Sequence, residues 1–338
     1  MDRLIFLEPG KLDWETVQDP LIEGRDEALV RPTVMGRCDL DVLYLDGRMP
    51  LAPREPIGHE IIGEIVDMGE DAAQQFKVGQ TVIVSAQINC GKCRQCLTGQ
   101  TGRCEAVPLG ASYGMGRDGD FGGAVCDIVR VPFAKAMLVP IPKLADHSSM
   151  IGLADMATDA WRAVGPQLER CPGGSVLVIG GATPVIGLYS AGIAKQLGAS
   201  RVTYVDPSER NRGVASAYGA EAHAHIDEVA NGLFDIVVDA ANDPERLLSA
   251  IAACGPAAQL TSVAPPVRVD GLPLMEMYFK GLTYTLARPN CRHGHNPALQ
   301  AWSCKGFDPS LVGPKVFPFE KAIDAWLDEA LYVAATRT

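Results

Sequence analysis

Cys90, Cys93, Cys96 and Cys104 stand at C-x2-C-x2-C-x7-C spacing in one short loop rich in glycine and polar residues. Two-residue gaps let a chain turn back so that successive sulfurs reach one centre, and four thiolates about 2.3 Å from an ion make the closed tetrahedral set of a structural zinc. Gly91, Gly99 and Gly102 give the loop the freedom to wrap. A disulfide framework or chance is the competing reading, and a chain of intracellular character disfavours it. A closed site has no open position, so this lobe, about residues 88–106, is expected to stabilise rather than catalyse.

A second chemistry-bearing segment runs from Gly174 to Gly187 and places a buried strand, a glycine turn and a helix start in succession. Gly181 can make the tight turn and Gly187 lets the helix approach the strand, so that Thr183, Pro184, Val185 and Ile186 would face a pyrophosphate at the helix start. The spacing departs from strict G-x-G-x-x-G, because Gly181 to Gly187 is one residue longer and Pro184 stands near the middle glycine's place. Asp206 ends the next apolar run about 20 residues on, where a ribose-binding acid belongs. A carboxylate there accepts from both ribose hydroxyls and repels a 2′-phosphate, which favours NAD over NADP. Arg210 and Arg212 follow closely and could soften that preference. The alternative is a strand-helix unit whose glycines serve packing and whose Asp206 caps a helix.

These groups need elements to position them. Ala28 to Val34, Ile61 to Asp67, Thr81 to Ser85 and Ala124 to Val131 are short β-branched runs broken by Gly and Pro, which predict an irregular, mainly antiparallel β domain. His147 to Val164 suits a helix leaving that domain. Ser175 to Ile179, Arg201 to Asp206 and Phe234 to Ala240 are compact apolar runs separated by helix-length segments, the alternation of a parallel sheet with crossover helices. The last fifty residues, rich in proline, read as looped and end in a helix near Glu320 to Leu331.

The chain has 338 residues, more than one core comfortably serves, so two domains are expected. A net charge of −11 and the lack of a Lys/Arg cluster argue against nucleic-acid or anionic-membrane partners. Met1 to Gly10 carries Asp2, Arg3 and Glu8 and no long apolar core, unlike a secretory signal, so a cytoplasmic location is expected. Cys171 to Ala194 is uncharged over a span that could cross a bilayer, but its Gly and Pro residues argue against a membrane helix. Cys126, Cys171, Cys254, Cys291 and Cys304 lack metal spacing and read as ordinary thiols; His293 and His295 lie in a Pro-rich stretch that weakens a metal reading.

Cys38 lies after the first of the β runs, and Gly58-His59-Glu60 opens the next. Neither is diagnostic alone, since a lone His is more often hydrogen-bonded and a single Cys more often merely buried. Together with the Cys90 to Cys104 lobe, the glycine turn and Asp206, they resemble the zinc-dependent medium-chain alcohol dehydrogenase family over nearly the whole chain.

The resemblance implies an α/β fold: a GroES-like irregular β catalytic domain at 1–153 and 288–338, and a Rossmann domain with a doubly wound parallel sheet at 154–287. It implies a catalytic zinc on Cys38, His59 and a third ligand that falls on Asp155, within Leu153-Ala-Asp155-Met-Ala-Thr158, similar to the D-M-x-T segment of bacterial secondary alcohol dehydrogenases. The other reading of Asp155 is a helix N-cap or a solvated helix residue. Asp41 matches the acid that holds the zinc-binding His by its other ring nitrogen. Glu60 would assist ligand exchange or pair within the core, and Thr158 would touch the nicotinamide or ribose or else pack its helix.

Where the family carries a proton-relay Ser/Thr and His, this chain has Leu40 and Leu43, and neither can move a proton. Release of the alcohol proton would then fall to water, Asp39, Tyr44 or a substrate group. Substrate contacts are expected from scattered side chains such as Leu40, Tyr113, Trp161 and Arg288. The expected activity is hydride transfer between NAD(H) and a secondary alcohol, polyol or sugar-like hydroxyl, in a homodimer or homotetramer. The alternatives are a zinc-independent enone or quinone reductase of the same superfamily and a dinucleotide-binding protein without turnover.

Overall fold

The β-branched runs of the first 140 residues pair as antiparallel strands around one central member. In the computed structural model, which describes residues 1–116, 120–144, 146–229, 232–265 and 268–337, Ala28–Gly36 pairs with Glu60–Met68, with Val333–Thr336 and with Val129–Val131. Glu60–Met68 continues to Thr81–Val84 and then Leu138–Pro140, while Lys315–Pro318 lies parallel to Val333–Thr336. The inward positions are Val, Ile, Leu and Met. Ile61, Ile65, Val82, Val84 and Met137 are fully buried with Trp326 in one core, each aliphatic side chain contributing about 1.5–3 kcal/mol by leaving water.

The second unit holds a six-stranded parallel sheet in the order Glu221–His223, Val202–Val205, Val176–Ile179, Phe234–Asp239, Cys254–Ser262 and Thr283–Leu286. The earliest strand, Val176–Ile179, sits in the middle and the order reverses beside it, the 3-2-1-4-5-6 sequence of a dinucleotide-binding sheet. It is buried on both faces, which is why it reads as an unbroken apolar run. Helices cross over between the strands. Ser208 and Asp243 accept the Asn211 and Arg246 amides at two helix starts, the latter with Pro244 in the first turn.

The compact units comprise residues 1–155, 290–296 and 313–338 in one and 156–289 and 297–312 in the other. Against the expected 1–153 with 288–338 and 154–287, residues 288–289 and 297–312 lie in the second unit and 154–155 in the first. Phe307 accounts for the 297–312 segment: it is buried against Tyr189 and Tyr218, ring centroids 5.4 and 5.9 Å away, and the Tyr218 hydroxyl donates to the Asp308 carbonyl at 2.8 Å.

Other expectations change in detail. Of Ala124 to Val131 only Val129–Val131 is strand, because the chain turns at Ala124, whose carbonyl takes the Cys126 amide. The helix expected over His147 to Val164 is broken: a 3-10 helix covers Ser148–Ala154, Asp155 leaves helical geometry at φ −143° and ψ −69°, and an α-helix follows at Met156–Arg170. The looped C-terminal segment contains a helix, Cys291–Lys305, with Pro297 inside it, and after a short helix at Ala322–Trp326 comes the strand Val333–Thr336. Cys171 to Ala194 is a strand, a turn and a helix, and among the described residues no helix is long and apolar enough to cross a membrane.

Candidate active site and metal centres

Four sulfurs converge as the loop spacing predicts. Cys93 caps the short helix Arg94–Leu97, and Cys104 follows a 3-10 turn at Thr101–Arg103 that brings it back. The donor atoms of Cys90, Cys93, Cys96 and Cys104 all lie within 4.8 Å of one another. Cys93 Sγ and Cys104 Sγ are 4.0 Å apart, against about 3.8 Å for two thiolates on a tetrahedral zinc. Backbone amides of Cys90, Cys93, Cys96, Glu105 and Ala106 donate to these sulfurs at 3.4–3.5 Å. The Glu105 and Cys96 amides pull the Cys93 thiol down to about 6. Burial pushes the Cys96 and Cys104 thiols up, so the protein alone does not hold four thiolates, and a cation is what would deprotonate the set together.

The second cluster follows from strand register. Gly36 pairs with Glu60, so the residues just beyond one strand and just before the next, Cys38 and His59, share one end of the sheet. Asp155 reaches them from the end of the 3-10 helix. Its Oδ2 lies 3.3 Å from Cys38 Sγ and 3.4 Å from His59 Nε2. Tetrahedral zinc would place S and O about 3.6 Å apart and N and O about 3.4 Å apart. All three residues are buried, and these are the only two groups of metal-ligating side chains among the described residues.

The electrostatics of this pocket are those of a site waiting for charge. Neither ring nitrogen of His59 has a hydrogen-bond partner among the described residues, although a buried orphan costs about 1–3 kcal/mol. Burial pushes the imidazole down, yet Asp41, Asp155 and Glu60 outweigh it and raise it to about 9. Burial would raise Asp155, but His59, Cys291 and Cys38 bring it to about 2. Burial first, then the nearby carboxylates, push the Cys38 thiol well up. Cys38, His59 and Asp155 would hold a divalent ion here, which would leave Cys38 as thiolate and balance its charge together with that of the carboxylate. The residues present therefore fit zinc.

Asp41 stands 3.8 Å from His59 Nδ1, close enough for charge but longer than a hydrogen bond, while its other oxygen accepts the Cys38 amide at 3.1 Å. Burial raises it to about 6. Glu60 Oε2 accepts from the Tyr332 hydroxyl at 2.6 Å, and a Cβ at Gly36 would run into that carboxylate, so Gly36 makes its room. Thr158 is buried in the helix Met156–Arg170. Leu43 is buried and Leu40 half-buried on the helix Asp39–Leu45, where Asp39 and Tyr44 are buried as well. Tyr113 is not a substrate contact: it lies in the core with its hydroxyl on the Arg130 carbonyl at 2.9 Å.

The glycine turn stands where the strand order reverses. Gly181, at φ +152°, has no room for a side chain, because a Cβ would meet the Ala241 backbone at 2.7 Å. Ala182 and Thr183 donate their amides to the Ala241 and Ala240 carbonyls, and the Thr183 hydroxyl also bonds Ala240. Pro184 begins the helix Pro184–Gln196, Val185 and Ile186 complete its first turn, and Gly187 lets it close on Ala240. Asp206 accepts from Tyr204 at 3.0 Å, Asn211 at 3.1 Å and the Ser208 amide at 2.8 Å. Three donors on about four lone-pair sites leave one acceptor position. Arg210 is exposed, and Arg212 bonds the Asp206 and Pro207 carbonyls rather than reaching outward.

One residue that the spacing did not single out joins the metal pocket: Cys291, fully buried, whose thiol donates to Asp155 Oδ1 at 2.8 Å. Its separation of 136 residues from Asp155 leaves no local signal. The two histidines nearby do not gather into a site. His295 bonds the Ala154 carbonyl at 2.7 Å, and the His293 ring packs at Gly99.

A parallel dinucleotide-type sheet, an antiparallel β unit with a four-thiolate lobe, and a buried Cys, His and Asp set define a zinc- and nicotinamide-dependent dehydrogenase. Residues 24–143 match the family described as the alcohol dehydrogenase GroES-like domain. The chain is 32% identical to an L-threonine 3-dehydrogenase of Streptomyces coelicolor over 259 residues, covering 72% of this chain and 71% of that enzyme. It is 33% identical to the L-galactonate-5-dehydrogenase of Escherichia coli over 63% of this chain and 58% of that one. The alcohol dehydrogenase structure from Thermus sp. ATN1 superposes with a TM-score of 0.88 at 25% identity, with both chains covered in full. The chain belongs to the zinc-dependent medium-chain alcohol dehydrogenases of the medium-chain dehydrogenase/reductase superfamily. It is an oxidoreductase of hydroxyl compounds that uses zinc and a nicotinamide dinucleotide.

Proposed function

We propose that this chain transfers a hydride between NAD(H) and a secondary alcohol or polyol, using a catalytic zinc on Cys38, His59 and Asp155 and a structural zinc on Cys90, Cys93, Cys96 and Cys104. The observation that carries the proposal is the buried His59 ring, without a hydrogen bond at either nitrogen among the described residues, with a thiol and a carboxylate placed at zinc-ligand separations. When bound, zinc supplies Lewis acidity that lowers the proton affinity of a hydroxyl, and nicotinamide supplies the two-electron acceptor or donor.

The chain's residues do the rest. Three protein ligands leave room for the substrate oxygen, and one thiolate plus one carboxylate balance the ion's charge. Asp41 biases the His59 tautomer and holds the turn at Cys38 through its amide. Leu40 and Leu43 close the usual proton path, so the hydroxyl proton leaves through water or a substrate group. Thr158 and the Gly181 to Gly187 turn serve the dinucleotide, with Val185 and Ile186 at the pyrophosphate, because the Thr183 amide and hydroxyl bond Ala240 and Pro184 has no N–H. Asp206 takes a ribose hydroxyl and disfavours NADP, and exposed Arg210 stands at the adenosine side. The named substrates of the relatives, L-threonine and L-galactonate, are both secondary alcohols, which supports that class here.

A homodimer or homotetramer is supported by the exposed edge strand Thr283–Leu286 and by Leu274, Met275, Tyr278 and Phe279 beside it, all at least 65% exposed. Ten unpaired cysteines suit the reducing cytoplasm. An absorbance screen for NAD-linked turnover over secondary alcohols, polyols and amino alcohols tests the reading. Turnover on at least one, lost in Cys38→Ser, is expected; turnover on enones alone, or turnover that survives Cys38→Ser, would overturn it.

A further inference from the structure

Asp155 presents its two oxygens to different neighbours. Oδ2 faces Cys38 and His59, and Oδ1 receives the Cys291 thiol at 2.8 Å. Cys291 stands outside the set of three whose donor atoms lie within 4.8 Å of one another, so it abuts the pocket without belonging to the ligand set. It is also held from two sides. Its own amide donates to the Gln87 side chain at 3.1 Å, and Gln87 is buried. The preceding residue, Asn290, accepts from the Gly102 amide and from Arg103, both at 3.0 Å, within the four-cysteine lobe. Cys291 opens the helix Cys291–Lys305, so its backbone is anchored on the other side as well.

We infer that Cys291 is a positioning residue for the metal pocket: its thiol hydrogen bond to Oδ1 holds the Asp155 carboxylate with a single oxygen, Oδ2, turned to the ion. The inference rests on the proposed catalytic zinc at Cys38, His59 and Asp155. A carboxylate can bind a cation through one oxygen or two, and the second mode would occupy the position that substrate needs. A hydrogen-bond donor on the outer oxygen favours the first mode and orders the ligand before the ion arrives, the way partners behind metal ligands generally act. Because Asn290 and Cys291 are consecutive, the same segment ties the four-cysteine lobe to the ligand Asp155.

The test compares wild type, Cys291→Ala and Cys291→Ser, with zinc and cobalt affinity read by competition against a chromophoric chelator and coordination read from the visible spectrum of the cobalt form. Retention of the four-cysteine ion and an unchanged circular dichroism spectrum verify folding. Cys291→Ala is expected to weaken the second ion roughly 10- to 100-fold and to shift the cobalt bands toward higher coordination. Cys291→Ser, which keeps a donor, should stay within about threefold of wild type. Wild-type affinity and spectrum in Cys291→Ala would overturn the inference. So would equal weakening in both variants with loss of sulfur-to-cobalt intensity, which would make Cys291 a ligand. A wild-type chain that takes up metal at the four-cysteine lobe alone would instead remove the catalytic-zinc reading beneath it.

Discussion

His295 shows how a single buried group ties stability to pH. Fully buried and bonded to the Ala154 carbonyl, with Nδ1 unpartnered among the described residues, it is pushed down to about 4 by burial. A histidine lowered in the folded state costs nothing above its unfolded value near 6.5, and stability is lost as pH falls from there toward 4. The full difference is about 3 kcal/mol. Denaturant midpoints between pH 7 and 4.5 should therefore fall more steeply in wild type than in His295→Gln, and parallel curves would show that His295 is not the group responsible. At the cofactor turn, Asp206→Gly should shrink the preference for NAD over NADP by on the order of tenfold, about 1.4 kcal/mol. An unchanged ratio of kcat/KM values would mean that another residue reads the ribose. Individual residues were legible where their chemistry is local. The four cysteines and the turn glycines could be read from spacing, whereas Asp155 needed the family resemblance and Cys291 gave no sign, since its partner is 136 residues away.

Elements place these residues by register and by interruption. Antiparallel pairing of Gly36 with Glu60 brings Cys38 beside His59, and the break between the 3-10 and α segments frees Asp155 from helical geometry to face them. The sequence predicted one continuous helix there because apolar spacing does not distinguish a 3-10 start from an α start. It missed the helix at Cys291–Lys305 because Pro297 and the neighbouring prolines read as loop, whereas Pro297 sits inside the helix as its seventh residue and removes one backbone bond without ending it. Gly114 is the element-scale counterpart of the pocket. It holds φ +59°, and a Cβ there would meet the Gly58 backbone, with its nitrogen at 2.6 Å. Gly114→Ala should cost about 2–4 kcal/mol from overpacking and left-handed strain, and should weaken the metal at His59 by displacing Gly58. A melting temperature within 2 °C of wild type, on the order of 1 kcal/mol for a protein of this size, would contradict this packing account.

For the whole molecule, two units carry two separable tasks. The proposed ligands Cys38, His59 and Asp155 lie within the first unit, and the glycine turn with Asp206 lies within the second. Strand alternation made both units legible, but the return of residues 297–312 to the second depends on Phe307 packing under Tyr189 and Tyr218, a contact between distant segments that no local pattern announces. With metal and dinucleotide proposed to bind in different units, losing one should spare binding of the other. The most direct measurement is zinc per chain, with NAD affinity and turnover, in wild type and His59→Ala. Two ions in wild type, one in the variant, unchanged NAD affinity and no hydride transfer are predicted. A variant that keeps both ions, or that keeps turning over, would contradict the assignment of the catalytic zinc to this pocket.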